Sequence, residues 1–94
     1  MSDEKARATV LIDNKRVRVT EWRFAPGAAT GYHRHGYDYV VVPMTTGKLL
    51  LKAPDGDHEV DLRQGVPYFR NVGVEHDVMN ANDYEFAFIE TELK

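Results

Sequence analysis

The residues of this chain best suited to chemistry are its four histidines, His33, His35, His58 and His76. His33 and His35 form an H-x-H pair. On an extended segment, residues i and i+2 project from one face, roughly 6.6 Å apart along the strand. Two imidazoles leaning together from that spacing can share one ion at metal–nitrogen distances of about 2.1 Å. The spacing alone leaves two readings open: a metal-binding pair that needs a third ligand from another strand, or two strand histidines with one exposed at a barrel mouth. Arg34 alternates with the pair and points away from it. His58 follows Pro54-Asp55-Gly56-Asp57 and reads as an exposed turn residue outside any site. Tyr39 and Asp38 are the nearest candidates for acid–base work. Glu75 and Asp77 flank His76 and alternate away from it. Arg70 and Arg23 are candidate clamps for a carboxylate, because guanidinium binds carboxylates bidentately; a surface salt bridge is the competing fate of each.

Other chemistries are excluded by counting. The chain has no cysteine, so it has no thiolate ligand, disulfide or cysteine nucleophile. Its only serine is Ser2, so a Ser-His-Asp triad lacks its nucleophile. No glycine-rich phosphate loop is present. Twelve basic residues stand against fifteen acidic ones, a net charge of −3, and no basic stripe suits nucleic acid. The longest apolar run, residues 39–44, is interrupted by Pro43 and too short to span a bilayer. Residues 1–5 lack the basic-then-apolar layout of a signal peptide. The expectation is a soluble, cytoplasmic protein that binds neither nucleic acid nor membrane.

The elements that must position these residues are strands. Residues 8–12 form a β-prone run, and residues 16–19 alternate polar and apolar. That alternation slips at Thr20, Trp22 and Phe24. A β-bulge near Thr20 or Glu21 accounts for the slip, as does a strand buried on both faces by a partner. Further strands are predicted over residues 30–35, 39–42, 48–52, 58–62, 66–70, 75–80 and 84–93, separated by turn signals such as Pro26-Gly27 and Pro54-Asp55-Gly56-Asp57. Only residues 3–8 suit a brief helix. Trp22, Phe24, Phe86 and Phe88 read as core or dimer-contact aromatics, and Tyr68 as core or cavity lining. Gly27, Gly47, Gly65 and Gly73 read as turn glycines with positive φ. About nine short strands over residues 1–94 predict a single all-β domain, a sandwich or barrel.

Two spaced patterns sharpen that expectation. Gly27-x5-His33-x-His35, with Gly47 further on, resembles the first signature of the cupin superfamily, G-x5-H-x-H-x3,4-E-x6-G. Gly65-x5-Asn71-x-Gly73-x2-His76-x3-Asn80 resembles the second, G-x5-P-x-G-x2-H-x3-N, with Asn71 in place of proline. The stretches around Phe24–Pro43 and Gly65–Val78 are also similar to stand-alone bacterial cupins associated with β-alanine degradation. The resemblance implies a double-stranded β-helix, a jelly-roll barrel with His33, His35 and His76 holding a divalent transition metal (Fe, Zn, Mn or Ni) inside it. It also implies a homodimer. The glutamate of the first signature is missing, since Tyr39 and Val40 occupy its two allowed positions. Tyr39, and after it Asp38, are the candidates to replace it. Asn80 is expected to hold the loop after His76 through backbone hydrogen bonds.

Three neutral imidazoles leave coordination positions open, the mark of a reactive site rather than a closed structural one. Iron would suit a dioxygenase-like reaction. Zinc, manganese or nickel would suit Lewis-acid isomerase or lyase chemistry on a small carboxylate-bearing metabolite. A non-catalytic module binding metal or metabolite is the alternative, and a metal-free structural dimer is a third.

Overall fold

The computed structural model describes residues 4–94, and among them there are nine strands and no helix. They are β1 (Arg7–Asp13), β2 (Val17–Phe24), β3 (His33–Arg34), β4 (Asp38–Pro43), β5 (Gly47–Ala53), β6 (Gly56–Leu62), β7 (Tyr68–Arg70), β8 (Glu75–Asn80) and β9 (Phe86–Leu93). Two antiparallel sheets face each other, in the orders β1-β2-β9-β4-β7 and β3-β8-β5-β6. The all-β expectation holds, and no helix among the described residues could cross a membrane. The brief helix expected over residues 3–8 does not form: Lys5 bridges to Ala29, and β1 begins at Arg7. Asp3 lies outside the described residues.

Register turns the larger sheet into a graded wall. Directly opposite residues share a face, so the inward rows can be read across the strands. One row is Arg18, Glu92, Tyr39 and Arg70; the next is Thr20, Glu90, Val41 and Tyr68; then come Trp22, Phe88 and Pro43, and finally Phe24 and Phe86. The wall is polar at one end and aromatic at the other. From the facing sheet, Leu49, Leu51, Leu62 and Val78 close on the aromatic end to make the core. Phe24 and Phe88 meet there with ring centroids 5.5 Å apart, and each such ring contributes on the order of 1.5–3 kcal/mol by leaving water. The polar end is left as a mouth.

Two local expectations are corrected. β2 pairs with β9 residue for residue, so it carries no bulge. The register shift lies on β1, between Val10 and Ile12, opposite Thr20 and Val19. The slip in β2 arises because Val17 and Val19 sit on the outer face while Thr20, Trp22 and Phe24 face inward. Gly47 does not have positive φ, unlike Gly27, Gly65 and Gly73. It opens β5 where an added Cβ would lie 2.7–2.8 Å from the Tyr84 hydroxyl and the Asn82 amide, so the need is for space.

Candidate metal centre

The predicted strand over residues 30–35 is broken in two. Thr30 N–H donates to the Val78 carbonyl at 2.9 Å, continuing the pairing with β8. Gly31 then takes φ +87°, a conformation open to glycine at little cost, and the chain rejoins β8 at His33, which pairs with His76. Beyond β3, His35 N–H donates to Val74 O and its carbonyl accepts from Gly73 N–H, at 2.9 and 2.8 Å. The interruption swings both histidines inward opposite His76.

The three imidazoles converge. His35 Nε2 lies 3.0 Å from His33 Nε2 and 3.0 Å from His76 Nε2. The ring centroids are 4.7, 4.8 and 5.0 Å apart, all edge-to-face. The Gly31 carbonyl contacts His33 Nδ1 at 2.9 Å. A carbonyl only accepts, so Nδ1 carries the proton and Nε2 presents its lone pair. Burial, then the neighbouring His33, holds the His35 pKa down at about 4. Burial, then His33 and His35, holds His76 at about 3. Both are therefore neutral near pH 7, the state a metal ligand needs. The ligand atoms of the three rings all lie within 4.8 Å of one another, so they could hold one metal ion between them.

The surroundings are buried and incompletely satisfied. Tyr39 is only 2% exposed and stacks on His35, with ring centroids 3.9 Å apart. Burial pushes its phenol well above the usual range, so without a metal it stays protonated near neutral pH. Among the described residues, the Tyr39 hydroxyl and His76 Nδ1 are buried without a hydrogen-bond partner. Asp38 is turned elsewhere. It alternates with Tyr39, and its Oδ1 accepts the Val72 N–H at 2.7 Å, tying down the turn before β8. Glu75 accepts from the Tyr32 hydroxyl and Asp77 from the Gly31 N–H. His58 stands on β6 rather than in the turn before it, exposed and 3.0 Å from Asp55. Arg34 is exposed and outside the triad. Asn80 ties three segments together: its Nδ2 donates to Phe24 O, Ala25 O and Tyr84 O, and its Oδ1 accepts from Asn82.

One carboxylate was missed in the sequence. Glu90 of β9 is 8% exposed, with Oε2 3.9 Å from His35 Nδ1. Burial, then the like charge of Glu92, raises its pKa to about 7. His35, Glu90 and Glu92 form a second group of atoms within 4.8 Å of one another, beside the triad. Glu92 is also 3.6 Å from Arg18. The alternation of β9 puts Glu90 and Glu92 on the face of Phe86 and Phe88, a signal available in the sequence once that face is taken as the inner one. Glu90 lies on the Nδ1 side of His35, whereas the contacts to His33 and His76 are made by Nε2.

A relative from Pseudomonas aeruginosa, the β-alanine degradation protein BauB, is 60% identical over 90 residues, covering 96% of this chain and 95% of that one. A crystal structure of a cupin domain from Bordetella pertussis is 58% identical, covers 100% of this chain and 98% of its own, and superposes with a TM-score of 0.98. The chain belongs to the cupin family. A Klebsiella pneumoniae protein with a double-stranded β-helix domain shares the fold at 19% identity, with a TM-score of 0.80 over 99% of this chain and 80% of its own. No family model matches the sequence. This cupin has the jelly-roll barrel, and its His33, His35 and His76 could hold a metal ion.

Proposed function

We propose that this cupin holds a divalent transition-metal ion on His33, His35 and His76 and uses the open positions to bind and transform a small metabolite. The supporting observation is the convergence of three Nε2 atoms in a buried pocket. His33 carries its proton on Nδ1, and its Nε2 and that of His76 each lie 3.0 Å from His35 Nε2, a convergence that a cation would satisfy. It weighs against the metal-free structural dimer. A bound ion would supply Lewis-acid polarisation, or with iron a position for O₂.

The chain's own residues orient the centre. The Gly31 carbonyl fixes the His33 tautomer, Tyr39 covers one face of His35, and Glu90 approaches its Nδ1. Partners of this kind align ligand rings and raise their basicity. The name of the Pseudomonas aeruginosa relative supports a substrate from β-alanine breakdown.

Elemental analysis of protein purified without added metal tests the site. The wild type and His58→Ala should carry a stoichiometric ion, and His33→Ala and His76→Ala should lose most of it. Equal retention in His58→Ala and His76→Ala would remove the assignment. Turnover of a metabolite by the loaded protein separates the enzyme from a binding module, for which stabilisation by the same metabolite without turnover is expected. We also infer that the chain pairs with a second copy through β1, the exposed edge strand of the larger sheet.

A further inference from the structure

Arg23 and Arg70 were equal candidates for a carboxylate clamp, and the structure separates them. Arg23 faces outward and is held by Glu21 and Glu85. Arg70 stands on the inner wall, paired across the strands with Tyr39, while its neighbour Phe69 points out and is 52% exposed. Among the described residues Arg70 makes no hydrogen bond and no ion pair. It is half-buried, so its guanidinium has lost part of its water without gaining an anion.

Space meets that charge. The enclosed space between Arg70, Tyr39, His33 and His76 is only about 20 Å³, room for about one water. At the seam between the edge strands β6 and β7, a cleft of about 320 Å³ is lined by both Arg70 and His76. Its two acids are already engaged: Asp55 lies 3.0 Å from His58 Nε2, and Glu75 accepts from the Tyr32 hydroxyl. Arg70 is the unpaired charge of the cleft. A dication on three neutral imidazoles would add positive charge, with no carboxylate among those ligands to offset it.

We infer that this cleft is a carboxylate-binding subsite, in which Arg70 takes the planar carboxylate of a short organic acid whose other end reaches the metal at His76. The placing of that other end rests on the proposed metal centre; the anion preference rests on Arg70 alone. A carboxylate matches the guanidinium fork with two parallel N–H···O bonds. Phosphate shares the negative charge, so both are tested.

Calorimetric titrations of the full chain, metal-free and after loading with Ni(II), would use propionate, uncharged propionamide and inorganic phosphate as probes. Propionate should bind roughly ten- to hundredfold tighter than propionamide, the range of a charge-assisted pair. Arg70→Gln should erase that preference while titrating Ni(II) as the wild type does. Arg70→Lys, which keeps the charge without the fork, should restore part of it. Absence of propionate binding in the wild type, equal binding of propionate by Arg70→Gln and wild type, or tighter Arg70-dependent binding of phosphate would each overturn the subsite. A wild type that fails to take up Ni(II) would instead sink the metal centre, and the metal-free arm would still read Arg70.

Discussion

At the scale of single residues, His35, His76 and Glu90 couple the fold to pH in opposite senses. Burial lowers the two histidines from 6.5 to about 4 and about 3. The unfolded chain therefore binds more protons than the folded one below about pH 6.5, and stability falls as pH drops through the folded values. Glu90 is raised from 4.5 to about 7. Its contribution is full below pH 4.5 and is lost as pH rises through 7. Two histidines outweigh one glutamate in the overlapping window, so metal-free stability should climb by a few kcal/mol from about pH 4 to about pH 6.5, dip slightly while Glu90 alone titrates, and level off above pH 7. Urea melts at intervals across that range check the trend; a stability maximum at pH 5 would contradict it. Metal binding needs unprotonated imidazoles, so ligation by ordinary histidines makes metal affinity fall below about pH 6.5. The lowered values of His35 and His76 move their part of that loss to more acid pH. The triad was legible because its members sit at fixed spacings along two motifs. Glu90 was hidden because only the register of β9 against β4 and β2 brings it to His35.

At the scale of elements, Gly47 shows how closely the strand ends are fitted. Tyr84 donates its hydroxyl proton to Thr46 O at 2.8 Å, and Asn82 brackets Lys48 with two bonds of 2.9 Å. A methyl at Gly47 would collide with both side chains. Gly47→Ala should cost roughly 1–3 kcal/mol, the usual penalty of overpacking. Gly36→Ala, with nothing within 4 Å of its added Cβ, should be nearly neutral. Equal melting temperatures for the two variants would refute the argument. Strand alternation and turn residues made most elements legible, including β4, β5, β6, β8 and β9. What failed was local and had tertiary causes. The break at Gly31 depends on β8 resuming the pairing at His76. The β2 parity depends on which face the second sheet covers. The positive φ expected of Gly47 was a demand for room, set by Tyr84 and Asn82, which lie far along the chain.

At the scale of the whole molecule, the polar end of the barrel wall has two approaches, and their fates differ. One is the cleft holding Arg70 and His76. The other, about 350 Å³, is lined by His33, His35 and Glu90 together with Ala8 and Val10 of β1. β1 is an edge strand with every residue exposed, and Val10, Leu11 and Ile12 present a consecutive apolar run at 55%, 51% and 50% exposure. Unpaired backbone groups beside exposed apolar side chains invite another strand. A second copy docking there would bury that run and narrow the cleft beside the triad, leaving the Arg70 side as the way in for a metabolite. Light scattering of the eluted protein should therefore give twice the 10.7 kDa chain mass. Ile12→Lys places a charge on that edge at little cost to the protomer, since the position is half exposed within it. The variant should shift the protein to a monomer while keeping its strand circular dichroism. A wild type that remains monomeric at tens of micromolar, or an Ile12→Lys variant as dimeric as the wild type, would place the partner surface elsewhere and leave both clefts open.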